Sequence, residues 1–458
     1  MKENKNLFGN RHSSNSKKLT RRQFIKSSSV AGASLILAPN VIKRANSLGS
    51  DNINLALLGA GAQGQVLINS CLKIPGVRFK AICDIWKEYN QKRAYRLLGK
   101  FGHKLNSYED YREMLENEKD LDAVIIATPD FWHAEHATAC LEAGLNVYCE
   151  KEMSNTLEGA KQIVRAAKSS GKLLQVGHQR RSNPRYMHSY EKLIKGENIL
   201  GQITTINGQW NRAVQPDLGW PKKYAIPQSR LEKYGYKSMA QFRNWRWYKG
   251  LGGGPIVDLG SHQIDIFSWF LNSNPSSVIA SGGTDYYEQS THEWYDTVMA
   301  MFEYDTDQGK VRSFYQTITT NSNSGYYEKF MGDHGTLHIS ESAGRAGIYR
   351  EQSAPLWDKF VEKGLLSSPK EETWNIKSET VLDVRETVAP PRYNLPIILN
   401  DPYHMPHLKN FFNAIRGKEN LNCNAEKGFE TAVAVLKVND AVEQSRKIKF
   451  DKNEFVVS

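Results

Sequence analysis

The sequence predicts an α/β protein in which a doubly wound parallel sheet is followed by an α+β domain with an open, mostly antiparallel sheet. Between residues 52 and 177, short apolar strands alternate with helical stretches. After residue 177, strands rich in Thr, Ile and aromatic residues follow one another with turns between most of them. The length of 458 residues is sufficient for two or three domains of about 100–200 residues each.

The parallel sheet is assigned to residues 51–177. Strands are expected at Ile53–Leu58, Val77–Cys83, Ala123–Ala127, Asn146–Cys149 and Leu173–Gly177. Helices are expected between them at Gln63–Lys73, Ala134–Ala143 and Leu157–Ser169. Helices of this length connect strands as right-handed crossovers, so the strands run parallel and ligands are expected at their carboxyl ends.

The second domain is assigned to residues 178–458. Strands are expected at Gly201–Trp210, Ser277–Ser281, Thr297–Tyr304, Val311–Thr319 and Thr336–Ile339. One long helix, Pro255–Phe270, interrupts them and begins with proline at its first position. Residues 345–400 have weak periodicity and two adjacent prolines, which predicts a crossing loop. Two amphipathic helices close the chain, one ending at Gly417 and one beginning after Asn424.

The first fifty residues differ in charge from the rest of the chain. They contain ten Lys or Arg and one acid, so they carry +9 of the net +11 and leave +2 for residues 51–458. Thr20-Arg21-Arg22-Gln23-Phe24-Ile25-Lys26 precedes an apolar run, Val30–Ala38, that is too short to span a membrane. This order resembles a twin-arginine (Tat) export signal, the alternative being a basic tail with an accidental arginine pair.

We therefore assign residues 1–50 to a Tat signal and linker, with the Tat export machinery as partner and the periplasm as destination. An uncleaved signal would leave the protein anchored to the membrane.

The nearly neutral charge of residues 51–458 argues against nucleic acid as a partner, because no excess of positive charge attracts this part of the chain to phosphate backbones. Five cysteines without a Cys-x-x-Cys pair indicate packing rather than a disulfide framework. No histidine spacing indicates a metal site.

A glycine-rich turn follows the first strand. The residues Gly59-Ala60-Gly61-Ala62-Gln63-Gly64 lead directly into a helix. Gly59 allows a tight turn, Gly61 allows backbone to approach a pyrophosphate, and Gly64 allows close helix packing. The second strand ends in Asp84, where a carboxylate can accept hydrogen bonds from a ribose diol. An acid at this position without an adjacent arginine predicts NAD rather than NADP.

Polar residues also follow the next two strands. The third strand is followed by Thr128-Pro129-Asp130-Phe131-Trp132-His133, and the fourth ends in Cys149-Glu150-Lys151. Both segments lie at carboxyl ends of parallel strands, where ligands bind in this architecture. A lysine placed there, over a nicotinamide, can donate a hydrogen bond to a hydroxyl under oxidation. The alternative is an ordinary solvated pair of Glu150 and Lys151.

A second set of candidate site residues lies at the start of the long helix of the second domain. Asp258 and His262 follow three glycines, are four residues apart and share one helix face. The carboxylate can orient the imidazole or the substrate, and the imidazole can accept a hydroxyl proton as hydride leaves. The alternative is a capping aspartate and a packed histidine.

Taken together, these motifs resemble the Gfo/Idh/MocA oxidoreductase family over about residues 52–446. The family's Glu-Lys-Pro tripeptide matches Glu150-Lys151 and departs at Glu152. Its threonine-proline and histidine pattern, and its aspartate and histidine four apart, are also present. The resemblance implies a Rossmann domain and a catalytic centre lined by Lys151, Asp258 and His262. It implies that the dinucleotide is held by Gly59, Gly61, Ala62, Gln63, Gly64, Asp84, Thr128, Pro129, His133, Glu150 and Lys151.

Two further stretches are expected at the cleft between the domains. The chain leaves the last parallel strand through Gln179, Arg180 and Arg181. Gln179 is expected to contact the cofactor and the two arginines the substrate, the alternative being a plain surface arginine pair. Trp245 offers a flat apolar face suited to a sugar ring, the alternative being core packing.

The expected function is oxidation of a carbohydrate or polyol by tightly bound NAD. His262 would act as base, Lys151 would polarise the oxygen, and Asp258 would position both. A redox-neutral NAD-dependent glycosidase, working by oxidation, elimination, hydration and reduction, is the alternative. A non-catalytic dinucleotide- or sugar-binding module is the alternative of another class. The resemblance also implies a homo-oligomer formed through the open sheet.

Overall fold

The computed structural model describes residues 52–368 and 390–458. The Tat signal and linker expected at residues 1–50 lie outside the described residues. Within the two described ranges, no helix is both long enough and apolar enough to cross a membrane.

Within the described residues, six parallel strands form the first sheet. They are β1 (Ile53–Leu58), β2 (Val77–Cys83), β3 (Asn106–Tyr108), β4 (Ala123–Ile126), β5 (Asn146–Cys149) and β6 (Leu174–Val176). Their order is β3-β2-β1-β4-β5-β6, so the direction of winding reverses between β1 and β4. Both central strands are buried, as expected for apolar strands covered by helices on both faces. The predicted parallel sheet is confirmed.

The connecting helices are α1 (Ala62–Cys71), α2 (Lys92–Lys100), α3 (Tyr111–Asn117), α4 (Asp130–Glu142) and α5 (Leu157–Ser170). Helix α4 begins directly after Pro129, earlier than the sequence predicts, so its first turn lies at the ligand-binding edge of the sheet. Strand β3 and helices α2 and α3 were not predicted. All three are short, and β3 is partly exposed at the sheet edge. Helix α2 buries only Ala94 and Leu98, on one face of an otherwise polar segment.

The second sheet contains nine strands of the described chain. They are β7 (Ile203–Asn211), β8 (Pro275–Gly283), β9 (Thr297–Thr306), β10 (Gly309–Ile318), β11 (Tyr326–Gly332), β12 (Gly335–Ile339), β13 (Gly347–Arg350), β14 (Arg392–Tyr393) and β15 (Ile448–Lys449). Their order is β14-β13-β12-β11-β7-β10-β9-β8-β15. Strands β7 and β10 pair in parallel, and the other neighbours pair antiparallel. The mostly antiparallel sheet is therefore confirmed.

One long helix packs across this sheet and fixes the site residues it carries. The helices of this domain are α6 (Pro184–His188), α7 (Gln228–Lys233), α8 (Met239–Arg243), α9 (Gly254–Leu271), α10 (Asp358–Glu362), α11 (Met405–Ile415) and α12 (Ala425–Gln444). Helix α9 is buried along almost its whole length. A Cβ at Gly208 of β7 would lie 2.6 Å from the Phe267 ring, so glycine permits this close approach.

The crossing loop predicted for residues 345–400 is wrong in part. Strands β13 and β14 extend the second sheet within this stretch, and the Trp357 ring packs against Tyr393 at a tilt, with 5.3 Å between ring centroids. These strands are short, and their register depends on β12 rather than on an apolar pattern of their own. Residues 369–389 of this prediction lie outside the described residues.

Helix α11 belongs to the core of the first sheet although it comes near the end of the chain. Its residues Met405, Leu408, Phe411 and Phe412 pack with apolar residues of β1, β2 and α1. The carbonyl of Val176 at the end of β6 contacts the His407 ring at 2.8 Å. The first domain is thus completed by a helix from the C-terminal region.

A separate apolar cluster joins the first domain to residues 220–251, and we call it the bridging cluster. Its fully buried members are Trp86, Ile226, Leu231, Tyr234, Tyr236, Met239, Trp245 and Leu251. The Trp86 indole N–H donates to the carbonyl of Tyr224, and Phe242 packs against its ring edge at 5.6 Å. Because Trp86 comes two residues after Asp84, the cluster closes over the end of β2.

Candidate functional site

A cavity of about 730 Å³ lies at the carboxyl ends of the parallel strands. Residues from both domains and from the bridging cluster line it. Most of the candidate residues predicted from the sequence lie on its wall: Gly59, Gly61, Ala62, Gln63, Asp84, Thr128, Pro129, Glu150, Lys151, Gln179, Trp245, Asp258 and His262. Four do not line it, namely Gly64, His133, Arg180 and Arg181. Sequence motifs from distant segments therefore meet in one cleft.

The glycine turn has the shape that a dinucleotide pyrophosphate requires. Gly59 has a φ of +86°, and a Cβ there would lie 2.6 Å from the carbonyl oxygen of Ala127. A Cβ at Gly64 would lie 2.0 Å from the carbonyl oxygen of Gly59, so this glycine permits helix packing rather than ligand contact. Gly61 faces the cavity and no side chain caps α1, which leaves backbone N–H groups for a phosphate. The residues present fit NAD.

Asp84, directly after the second strand, hydrogen-bonds the backbone of the glycine turn. Its Oδ2 accepts the Ala60 N–H at 2.7 Å, and its Oδ1 accepts the Trp86 N–H at 2.7 Å. The side chain of Asn90 also donates to Oδ2, at 3.4 Å. Burial raises the pKa of Asp84, while these hydrogen bonds act in the opposite direction. Asp84 therefore both shapes the glycine turn and presents a carboxylate to the cavity.

His133 is a structural residue, which corrects the expectation that it contacts the dinucleotide. Its ring is fully buried, and its two nitrogens lie 2.7 Å from the carbonyl oxygens of Glu152 and Thr128. Burial lowers the pKa of His133 to about 4, so the ring is neutral and donates one N–H at a time. It connects the segments that follow β4 and β5. By this contact it positions the backbone next to Lys151.

Lys151 and Asp258 form an ion pair between the two domains. The Lys151 Nζ donates to Asp258 Oδ1 at 3.0 Å and also to the Asp258 backbone carbonyl. Arg246 reaches the same Oδ1 at 3.1 Å. Burial alone would raise the pKa of Asp258, but the charges of Lys151, Arg246 and Arg212 hold it well below its usual range. Asp258 is therefore ionised between two cations.

His262 lies one helical turn beyond Asp258 and lines the same cavity. It is 7% exposed, and its Nδ1 has no hydrogen-bond partner among the described residues. Burial first, and then the charges of Lys151 and Arg180, hold the pKa of His262 well below its usual range. The imidazole is therefore neutral near pH 7 and can accept a proton.

The placement of Arg180 and Arg181 corrects the expectation that they bind substrate. Arg180 is 1% exposed and pairs with Glu328 and, at 3.0 Å, with Glu341. Arg181 pairs with Asp265 at 2.8 Å, and that carboxylate is also buried. Both guanidinium groups are thus occupied beneath the cavity wall. Gln179 does line the cavity, with its amide 3.2 Å from Glu341 Oε1.

Several residues of the cavity wall were missed by sequence reasoning. Arg246 stands beside the predicted Trp245 but carries the ion pair with Asp258. Trp210 stacks near His262 with 5.5 Å between ring centroids. His404, which sequence spacing left without a role, lies 3.0 Å from the Gln63 amide. The aromatic residues Trp132, Trp247, Tyr287, Tyr326 and Tyr403 also line the cavity.

The fold and the cleft define a two-domain dinucleotide-binding protein of the oxidoreductase type. A family model described as "Oxidoreductase family, NAD-binding Rossmann fold" matches residues 53–178. A second model, "Oxidoreductase family, C-terminal alpha/beta domain", matches residues 191–450. The chain belongs to the Gfo/Idh/MocA oxidoreductase family. The predicted NAD-binding Rossmann domain is confirmed.

Individual proteins are similar to this chain over part of their length. A 4-carboxy-2-hydroxymuconate-6-semialdehyde dehydrogenase of Sphingobium sp. is 33% identical over 38% of this chain and 53% of its own. An inositol 2-dehydrogenase of Salmonella paratyphi B is 27% identical over 45% of this chain and 50% of its own. The chain thus spans about half of these relatives. A levoglucosan dehydrogenase solved with NADH shares the fold, with a TM-score of 0.65, 19% identity, and coverage of 87% and 99%.

We expect Asp84→Asn to raise the Kd for NAD about 10- to 100-fold, because a hydrogen bond to a charged group contributes about 1.5–3 kcal/mol. Calorimetric titration of the purified protein with NAD and NADP measures this. Asp110→Asn is the matched control, since Asp110 caps α3 and does not line the cavity. An unchanged Kd for NAD in Asp84→Asn, or equal affinity of the unaltered protein for NADP, would contradict the role of Asp84.

Proposed function

We propose that this protein oxidises a hydroxyl group of a carbohydrate or polyol with NAD. One observation carries the proposal. Lys151 from the first domain hydrogen-bonds Asp258 of α9, His262 follows one turn later, and all three line the cavity that contains the glycine turn. A group that donates to oxygen and a group that accepts a proton are thus placed together at the ligand-binding edge.

Lys151, His262 and Asp258 have different roles in the proposed reaction. When bound, NAD supplies the hydride acceptor. Lys151 donates a hydrogen bond to the substrate oxygen, which favours the alkoxide that forms as the proton leaves. Neutral His262 accepts that proton. Asp258 is a positioning residue, because its carboxylate holds the Lys151 ammonium group and its helix carries His262. Loss of these groups would favour a non-catalytic binding module, but all are present.

The substrate class is supported by the cavity wall. Trp247 and Tyr287 offer aromatic surface with polar edges, as sugar rings require. Asp217 and Gln215 provide hydrogen-bonding groups nearby. An inositol dehydrogenase and a levoglucosan dehydrogenase among the similar proteins support a polyol or sugar as substrate.

We expect Lys151→Ala and His262→Ala each to lower kcat by at least about 100-fold, the range of general acid–base catalysis, and His262→Ala to leave NAD affinity little changed. Because the base must be neutral, kcat/KM should rise as the pH rises through the pKa of His262 and then level off. Since that pKa is depressed, the activity loss falls on the acid side, below pH 6.5. Steady-state rates with a panel of sugars and inositols measure this; turnover that survives both substitutions would refute the assignment.

The bridging cluster supports a cofactor that remains bound between turnovers. Its residues Tyr234, Tyr236 and Phe242 line the cavity at the end where Asp84 lies. A retained cofactor must be reoxidised in the site, so the two electrons taken from one substrate must be returned to a carbonyl. That carbonyl belongs either to a second sugar or to the oxidised sugar itself. In the second case the new ketone acidifies the neighbouring C–H, and loss of that proton expels the glycosidic substituent. Water then adds to the resulting double bond. Reduction of the ketone by the retained reduced cofactor completes a net hydrolysis.

The two routes are distinguished by supplying aryl glycosides to the purified protein without added NAD, in deuterated water. We expect ketosugar to form only when an acceptor sugar is present, because oxidation must be matched by reduction. Product analysis by mass spectrometry and NMR measures this. Release of the aryl alcohol with deuterium on the carbon beside the oxidised one would establish the glycosidase instead. Dependence on fresh NAD at every turnover would contradict a retained cofactor.

We also propose that the protein is exported in the folded state by the Tat pathway, to the periplasm, with the signal either cleaved or kept as an anchor. The support is the order of basic, apolar and small residues within residues 1–50. The pathway carries folded chains, so the cofactor could be loaded before export.

We expect the double substitution R21K and R22K to leave the protein in the cytoplasm, because the pathway reads the arginine pair as an address. Fractionation of cells and immunoblotting measure its location. A deletion of residues 2–10, upstream of the pair, serves as the control and should not block export. Export of the double variant at the normal level would contradict the proposal.

The open face of the second sheet supports a homo-oligomer. Its exposed apolar residues include Ile279, Met299 and Met301, which are 40%, 44% and 55% exposed. Ile279 and Met301 are directly paired across β8 and β9, so they form one patch. Contiguous apolar surface of this kind is typical of an interface. Light scattering of the purified protein measures the assembly.

A further inference from the structure

Arg212 is a cation of the cavity wall that forms no ion pair with a carboxylate in the described part of the chain. It follows the last residue of β7, and its backbone N–H donates to the carbonyl of Ile318 at 2.8 Å. Its guanidinium group lies over the Trp210 ring, 5.3 Å from the centroid. Among the described residues, no carboxylate oxygen lies within 4.0 Å of this group. The side chain is partly buried, so water screens it only in part.

Three arginines near the cavity form ion pairs. Arg180 has Glu328 and Glu341, and Arg181 has Asp265. The more exposed Arg246 shares Asp258 with Lys151. Arg185 and Arg243 have no carboxylate partner, but their guanidinium groups donate to the backbone carbonyls of Ser340 and Gly219. Arg212 faces the cavity and has neither kind of partner among the described residues.

Three cations act on one carboxylate beside His262. Lys151, Arg246 and Arg212 all act on Asp258. Burial raises the pKa of the neighbouring Asp130 to about 7. Glu341 is held by Arg180 and Gln179, and Glu150 accepts a hydrogen bond from Gln63 at 3.1 Å. The cations that act on Asp258 therefore outnumber the carboxylate that they share.

We infer that Arg212 binds an oxyanion carried by the substrate, so that the preferred substrate is an acidic sugar with a carboxylate group. This inference rests on the proposed function. The planar guanidinium group matches a carboxylate in bidentate geometry, and Trp210 keeps it in place by a cation–π contact. A phosphate group on a sugar offers the same chemistry, and the test separates the two sources.

The position of Arg212 assigns it to the substrate rather than to the cofactor. The phosphate-binding turn is at Gly61, whereas Arg212 acts on Asp258 and stacks on the ring that contacts His262. An anionic group bound there would hold the sugar ring across Trp210. The reacting hydroxyl would then be presented to Lys151 and His262.

The test compares methyl glucosides and methyl galactosides with the corresponding methyl glucuronides and galacturonides, and with glucose 6-phosphate. The protein variants are Arg212→Gln, Arg212→Lys and, as a matched charge control, the exposed Arg165→Gln of α5. Both kcat/KM and the Kd by calorimetry are measured. Ionic strength is varied, because a charge-assisted contact weakens with salt.

We expect the unaltered protein to prefer uronides over neutral glycosides, and Arg212→Gln to raise the KM and Kd for uronides about 10- to 100-fold, as loss of a charged hydrogen-bonding partner does. Values for NAD should not change, those for neutral glycosides should change far less than those for uronides, and Arg212→Lys should restore part of the affinity. Preference for glucose 6-phosphate, with the same dependence on Arg212, would identify the bound oxyanion as a phosphate group and overturn the inference that it is a carboxylate.

Two outcomes would overturn the inference while leaving the proposed function intact. One is equal use of acidic and neutral sugars by the unaltered protein. The other is an equal loss for both classes in Arg212→Gln, which a merely structural cation–π contact would produce. Binding of uronides that depends on Arg212 but occurs without any turnover would support the inference and refute the proposed function. Absence of binding and of turnover across the whole panel would overturn both.

Discussion

The ion pair between Lys151 and Asp258 is the interaction on which the rest of the site depends. Lys151 follows β5 of the parallel sheet, and Asp258 lies in the first turns of α9 in the second domain. Their side chains are 11% and 15% exposed, so the attraction is only weakly screened. The pair links the strand end beside the glycine turn to the helix that carries His262.

Two kinds of packing support the pair from either side. Behind Lys151, the neutral ring of His133 connects the backbone at Thr128 and Glu152. Behind Asp258, the Phe267 ring of α9 lies against the backbone of Gly208. Each contact removes freedom from the segment that carries one member of the ion pair. A substitution at either position would change the geometry of the cleft without changing any group in it.

Sequence reasoning placed a residue correctly where neighbouring residues in the sequence set its position, and failed where residues far away in the sequence set it. Gly59, Asp84 and Lys151 could be placed because each follows a recognisable strand, and strand ends in a parallel sheet meet at one edge. Arg180 and Arg181 could not, because their partners Glu328, Glu341 and Asp265 are 148, 161 and 84 residues away. An arginine with a buried partner and one that faces a ligand look alike in sequence. Arg212 was missed for the same reason in reverse: that no carboxylate among the described residues forms an ion pair with it is visible only in three dimensions.

Helix α11 has a consequence for how the chain acquires its structure. The core of the first sheet is completed by Leu408, Phe411 and Phe412, which are synthesised more than two hundred residues after β6. The apolar surface they cover stays exposed until residues 405–412 have left the ribosome. A fragment that ends after β6 would lack this part of its interior. The first sheet therefore gains its complete core only after most strands of the second sheet have been synthesised.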